Sequence, residues 1–353
     1  MKTTTTLPFM SIVICVLNGE RGLGRAIESL LAQDYPKDRF EIIIVDDGST
    51  DGTYEEAKKY PVRVLKHPKN LGVAAARNTG LEAVRGDVYV CFDDDLVVNT
   101  DWLRNVAIGY EMPEVLGVGS LIAHPEVVSG VVDRFMVAVG SGNPPSLKHG
   151  VSKSPLKRFI AYIHDQMDSG EPDKTEPYPV RQLNGALSSF PVDVLRAING
   201  WNADMRRMED TDLCTRLQQA FPKRFFYAVP SARIVHDPKM DLSTFILRTY
   251  VRGTDNLRFY LRNDLTPPVF PFPIAWVVLT IVGAFINPWL GLAALLLLPQ
   301  LLYIWWPIRA ARELSLWPLL YPYLQISEEL ATVLGLVRGY IVLAKGKRHA
   351  PKV

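Results

Sequence analysis

Glu41-Ile42-Ile43-Ile44-Val45-Asp46-Asp47-Gly48-Ser49-Thr50-Asp51-Gly52-Thr53 reads as a short apolar strand that stops abruptly in a polar, glycine-containing turn. The pattern repeats on either side. Upstream, Ser11 to Val16 predicts a strand, and Gly24 to Gln33 a helix with Ala26, Ile27, Leu30 and Leu31 on one face. Downstream, helices are predicted over Thr53 to Lys59 and Val73 to Val84, with strands over Val62 to Lys66 and Val88 to Phe92. Strands alternating with amphipathic helices predict an α/β fold with a mostly parallel, Rossmann-like sheet flanked by helices. In open α/β sheets the ligand lies beyond the carboxyl ends of the strands. Asn18, Asp46 with Asp47, and Asp93 with Asp95 are therefore expected to share one cleft.

The 353 residues suffice for one large domain or two ordinary ones. Lys and Arg total 39 against 37 Asp and Glu, a net charge of +2, so no global field favours nucleic acid or an acidic partner. Cys15, Cys91 and Cys214 lie far apart, two of them in apolar runs, which argues against a disulfide framework or a zinc cluster. The apolar stretch Ile12 to Leu17 is too short for a signal-peptide core, so the N-terminal domain is expected on the cytoplasmic side. The sequence sets no oligomeric state.

Residues from about 120 to 180 carry Gly, Pro and Ser clusters and no periodicity. Order is predicted again at Gln182 to Val192, in a helix Asp212 to Ala220 and in a strand Ala232 to His236. The last third changes character: Phe272 to Trp306 contains no charge and is broken at Asn287-Pro288. Two halves of about 16 residues reach only about 24 Å, short of a roughly 30 Å hydrocarbon core. The boundaries expected are a domain over 1–240, an interfacial linker helix over 241–271, a transmembrane or re-entrant helical hairpin over 272–308, and amphipathic interfacial helices with a basic tail over 309–353. Arg258, Arg262, Arg309 and Arg312 flank the hairpin, placing both flanks in the cytoplasm. Leu316 to Ala344 holds Glu328, Glu329 and Arg338 and reads as an interfacial helix pair. Lys345, Lys347, Arg348 and Lys352 suit anionic lipid head groups.

Three clusters carry chemistry. Asp46-Asp47 at a strand end can accept the imide or amino hydrogens of a nucleobase, or serve a glycine turn in which Asp51 or Thr53 caps the next helix. Asn70-Leu71-Gly72-Val73-Ala74-Ala75-Ala76-Arg77 is a small-residue helix that packs closely, or presents Arg77 to a ligand. Asp93-Asp94-Asp95 repel one another unless a cation neutralises them. Oxygen-only ligands suit Mg2+ or Mn2+, with Asp95 as direct ligand and Asp93 as a ribose or metal contact.

In this order the clusters, with Met208-Glu209-Asp210-Thr211-Asp212-Leu213 as a fourth, resemble the family 2 glycosyltransferases of the GT-A fold, over about residues 9 to 260. The resemblance implies a nucleotide-diphosphate sugar donor, a divalent cation and a catalytic base at Asp210, with Glu209 beside it. It further implies donor contacts from Cys15, Leu17, Asn18, Glu20, Asp46, Asp47, Arg77, Asp93 and Asp94, a site lining from Asn184-Gly185-Ala186, and a metal ligand at His236. Arg248 and Arg252, one helical turn apart, fall where relatives place cations near the diphosphate; they serve equally as a basic face on lipid head groups. Two departures stand out. Leu17 replaces the aromatic of the family's usual first strand, and Arg252 is followed by Gly253, so the Gln-x-x-Arg-Trp motif of processive synthases is missing.

The expected activity is therefore inverting, non-processive hexosyl transfer to a hydroxyl of a lipid-linked or membrane-associated glycan at a cell membrane. An ionised polyprenyl-phosphate acceptor is the enzymatic alternative, and a non-catalytic sugar-nucleotide sensor or scaffold the alternative of another class.

Overall fold

The computed structural model describes residues 7–123, 130–139, 154, 160, 175–205, 208–235, 241–262, 267 and 270–345. The strands are β1 Met10–Val16, β2 Phe40–Asp46, β3 Arg63–Lys66, β4 Val88–Phe92, β5 Val97–Val98, β6 Val115–Ala123, β7 Tyr178–Val180, β8 Ser188–Pro191 and β9 Phe225–Val235. The helices are α1 Glu20–Leu31, α2 Thr53–Ala57, α3 Val73–Ala83, α4 Trp102–Gly109, α5 Val131–Ala138, α6 Val192–Ala197, α7 Glu209–Ala220, α8 Leu242–Arg262, α9 Pro271–Ile286, α10 Pro288–Leu302, α11 Trp305–Glu313 and α12 Tyr321–Ala344. They divide into two compact units, the first holding all the strands with α1–α4, α6 and α7, the second α5 and α8–α12.

In the first unit one sheet runs β3-β2-β1-β4-β8-β6-β9-β5, with β7 on β9. The pairings of β1 with β2 and β4, of β2 with β3 and of β6 with β9 are parallel. Those of β8 with β4 and β6, and of β5 and β7 with β9, are antiparallel. The mostly parallel sheet expected is thus a mixed one. Strand direction comes from pairing between distant segments, which hydrophobic periodicity does not encode.

Side chains alternate across β1. Met10, Ile12, Ile14 and Val16 join a core with α1 and α4 residues such as Leu23, Ile27, Trp102 and Leu103, whereas Val13 joins a second core with Tyr89, Phe190, Leu213 and Leu217. Helix α1 begins at Glu20, a turn before Gly24, and its buried stripe is Leu23, Ala26, Ile27 and Leu30. Each such buried leucine or isoleucine is worth about 1.5–3 kcal/mol. The order expected over Gln182 to Val192 resolves into a 3-10 turn, Gly185–Leu187, followed by β8.

The second unit packs Phe135, Phe245, Trp306 and Tyr321 edge-on around one another. The helix pair expected over Leu316 to Ala344 is instead a 3-10 turn, Trp317–Leu319, and the single 24-residue helix α12. Pro322 sits in its first turn, where it costs no hydrogen bond. Gly335 does not break it, because α8 lies against it: a Cβ there would stand 2.2 Å from the Tyr250 carbonyl oxygen. Among the described residues no single helix is long and apolar enough to cross a membrane, and α10 and α11 together form an apolar pair bent by 72°.

Candidate active site

The parallel register sets the site. Val16 pairs with Asp46, and Ile14 with Phe92, so the residues that follow β1, β2 and β4 emerge at one end of the sheet. The first two turns are stitched together. Asn18, in the left-handed region at φ 56°, donates its backbone N–H to Ser49 Oγ at 2.9 Å and accepts from the Thr50 N–H at 2.9 Å. Gly19 N–H donates to Thr53 Oγ1 at 2.9 Å, and Glu20 Oε2 accepts from Gly52 N–H at 3.2 Å. Leu17 remains 43% exposed beside them.

The two aspartates at the end of β2 turn inward. Asp46, expected to face the cleft, is fully buried; its Oδ1 accepts from Ser49 N–H at 2.7 Å, and Lys66 Nζ stands 3.4 Å from Oδ2. Burying a carboxylate demands such partners. Asp47, also buried, accepts from the backbone N–H groups of Leu71 at 2.9 Å and Gly72 at 2.8 Å, just where α3 begins. His67 Nδ1 lies 2.7 Å from the same carboxylate and its Nε2 2.9 Å from Thr79 Oγ1. Sequence reasoning missed His67 and Thr79; a lone histidine after a strand carries no signal of its own.

Helix α3 delivers Arg77 to the centre. Its Nη1 lies 2.8 Å from Glu209 Oε1, and Trp201 flanks the guanidinium at 6.0 Å. Burial works to lower the Arg77 pKa, but Glu209, then Cys91, Asp93 and Cys15, hold it above its ordinary value. Glu209 is itself raised, first by burial and further by Asp210, with Arg77 pulling the other way. Asn78, the next residue, clamps Trp201 by both backbone groups, at 2.7 and 2.8 Å. The Cys15 thiol is pushed well up by burial.

Asp210 lies in the first turn of α7, whose N-cap is Met208, so it is not the helix cap. Its Oδ2 accepts from the Gly185 N–H at 3.2 Å and its Oδ1 from Thr211 N–H at 2.7 Å. Gly185 also leaves room for the guanidinium, since a Cβ there would stand 2.8 Å from Arg77 Nη2 and the arginine tip would have to shift. Gly185 therefore lines the Arg77–Glu209–Asp210 group, while Ala186 packs on the first core.

Asp93, Asp94 and Asp95 differ in exposure. Asp94 Oδ2 lies over Gly19, where a Cβ would come within 2.0 Å, and its pKa is raised by burial and then by Asp95 and Asp51. Asp95 is exposed and Asp93 half-buried toward Arg77. The repulsion expected between adjacent carboxylates thus acts on Asp94, and among the described residues no three His, Cys, Asp or Glu side chains gather as a metal cage. One or two hard carboxylates with open positions still fit Mg2+ or Mn2+, which usually borrow further oxygens from substrate phosphates. His236 lies outside the described residues. Arg248 and Arg252 are exposed on α8 of the second unit.

Residues 11–127 match the family model of glycosyl transferase family 2. The matched segment covers the strand ends bearing Asn18, Asp46, Asp47, Arg77 and Asp93–Asp95, and stops before Gly185 and Asp210. A pre-mycofactocin glycosyltransferase of Mycobacterium tuberculosis is 28% identical over 285 residues, 77% of this chain and 53% of its own. A dolichyl N-acetyl-alpha-D-glucosaminyl phosphate 3-beta-D-2,3-diacetamido-2,3-dideoxy-beta-D-glucuronosyltransferase of Methanococcus voltae is 31% identical over 126 residues, 32% of this chain and 39% of its own. The chain spans between 35% and 53% of the length of the first curated relatives it matches. A mannosyltransferase of Pyrobaculum calidifontis, solved with GDP-Man and Mn2+, shares the fold with a TM-score of 0.57 at 18% identity, over 94% of this chain and 88% of its own.

Proposed function

We propose that this chain is an inverting, non-processive glycosyltransferase that moves a sugar from a nucleotide diphosphate to a hydroxyl of a lipid-linked glycan, at the cytoplasmic face of a cell membrane. One observation carries the reading: Asp210 is held at the start of α7 by the Gly185 N–H, beside a Glu209 whose charge Arg77 neutralises. Two adjacent carboxylates with separate partners take separate roles. Glu209 is committed to Arg77, which leaves Asp210 to accept the proton of the attacking hydroxyl. One displacement at the anomeric carbon inverts its configuration.

Leu17, Asn18 and Glu20, on the stitched turns, bind the base and ribose. Asp47 contributes by holding the Leu71–Gly72 backbone, and so the start of α3, in place. Asp93 and Asp95 would hold Mn2+ or Mg2+, with His236 as a further ligand; such an ion supplies charge stabilisation to the departing nucleoside diphosphate. The Mn2+ in the Pyrobaculum calidifontis structure supports this choice. The lipid-linked acceptor is supported by the Methanococcus voltae relative, whose name specifies a dolichyl-phosphate-linked sugar, and by the uncharged stretch Phe272 to Trp306. Anchoring raises the local acceptor concentration.

The test is calorimetric titration of the detergent-solubilised protein with UDP, GDP and dTDP, with and without Mn2+, beside Asp95→Ala. Metal-dependent binding of one nucleotide, lost in the variant, supports the reading; no binding by folded protein under any condition overturns it.

A further inference from the structure

The second unit holds an apolar hairpin, α9 and α10, whose tip is exposed among the described residues. Phe285 is 89% exposed, Ile286 71% and Trp289 76%, and no charged residue occurs from Phe272 to Ile308. Such a surface is costly in water. We infer that α9 and α10 enter the lipid bilayer as a re-entrant loop, with the Phe285–Leu290 tip in the hydrocarbon and both ends on one face. The inference rests on the membrane association proposed above and adds its topology.

The turn itself is built for a medium without water. In hydrocarbon every backbone donor has to find a partner within the protein. Asn287 N–H donates to the Gly283 carbonyl at 2.8 Å, Trp289 N–H to Asn287 Oδ1 at 2.8 Å, and Leu290 and Gly291 N–H to the Asn287 carbonyl at 2.9 and 3.1 Å. Pro288 has no N–H to satisfy. The break therefore leaves no backbone N–H unpaired from Asn287 to Gly291. The two arms also close tightly beside it: a Cβ on Gly291 would stand 2.6 Å from the Ala284 Cβ, so water is excluded from between them.

Length decides between entering and crossing. Helices of 16 and 15 residues reach about 24 and 22 Å, against a hydrocarbon thickness of roughly 30 Å. A hairpin based at one head-group boundary thus passes the midplane and stops short of the far side. After α10 the chain bends by 72° into α11, which carries Arg309, Arg312 and Glu313 on its last turns. Cations and a carboxylate immediately past the apolar arm mark the level of the head groups.

The full chain would be reconstituted into vesicles of phosphatidylcholine and phosphatidylglycerol with an environment-sensitive fluorophore on Trp289→Cys. Strong quenching by lipids labelled deep in the acyl chain, with no quenching by iodide added outside or trapped inside, is the expected result. Quenching by trapped iodide alone would mean that the hairpin crosses; quenching by external iodide would mean that it never enters. A second variant, Phe285→Glu, should lower vesicle partitioning at least tenfold while leaving nucleotide binding by the solubilised protein unchanged. Unaltered partitioning would overturn the inference. Should the unsubstituted chain bind no nucleotide, the catalytic proposal fails while the vesicle result stands on its own.

Discussion

Arg77 and Glu209 are 132 residues apart in the chain, yet their Nη1 and Oε1 atoms lie 2.8 Å apart, with side chains only 7% and 13% exposed. The pair ties α3 to the first turn of α7. Removing one partner leaves the other as an uncompensated buried charge. Arg77→Ala is expected to cost roughly 3–5 kcal/mol of stability. Adding Glu209→Gln to it should restore part of that loss, so a double-mutant cycle followed by urea unfolding would show strongly non-additive terms. Additive losses would mean that the pair does not couple the two helices.

Asp210→Asn keeps the size of the side chain and removes its basicity. With a hydroxyl acceptor, transfer should fall by about 10²–10⁴-fold, while nucleotide affinity measured by calorimetry stays the same. A phosphate acceptor, already ionised, would leave much of the activity in place. Steady-state assays with both acceptor classes separate the cases.

Leu17 offers an exposed aliphatic surface next to Asn18. If the nucleobase lies there, Leu17→Tyr should tighten nucleotide binding by up to about 1–3 kcal/mol through stacking. Titration with the cognate nucleoside diphosphate checks this, and an unchanged affinity would move the base elsewhere.

Two glycines make a paired test of the turns. Gly48 has φ +78°, and a Cβ there would stand 2.4 Å from the Lys69 carbonyl carbon; Gly72 has φ +100° with open space around it. Gly48→Ala carries both the backbone cost and a clash, so its loss should exceed about 1–3 kcal/mol. Gly72→Ala carries the backbone cost alone and should lower Tm less.

Glu41 joins β2 to its neighbours: it accepts from Ser11 Oγ at 2.8 Å, Arg85 N–H at 2.8 Å and Arg63 Nη1 at 2.9 Å. Burial acts to raise its pKa, but these partners outweigh it and hold the carboxyl below its ordinary value. A depressed folded pKa stabilises above the unfolded value of 4.5, and that contribution is lost as pH falls through the folded pKa. Thermal unfolding of Glu41→Gln should therefore be less sensitive to acid than that of the unsubstituted chain between about pH 6 and pH 3. Parallel curves would assign the acid transition to other groups.

The first four strands and the helices between them were legible because apolar runs and amphipathic stretches alternate at periods that local sterics impose. β8 and β5 were not, since β8 is a short antiparallel strand inserted between β4 and β6, β5 is a two-residue edge strand on β9, and neither leaves a local trace. The acidic motifs were legible as positions at strand ends. Their orientations were not: Asp46 and Asp47 turn in to Ser49, Leu71 and Gly72, and Asp94 turns over Gly19, because neighbouring turns supply the partners.

By itself the sequence determined the first four strands and the helices between them, where the carboxylates and Arg77 fall along them, and that one stretch near the C-terminus carries no charge, since each of these depends on residue type and local spacing. Tertiary structure alone decided that Arg77 meets Glu209, that the Gly185 N–H holds Asp210, and that α12 runs unbroken past Gly335. Each of these depends on a contact between segments far apart in the chain, whose direction and depth are set by packing density and buried hydrogen bonding.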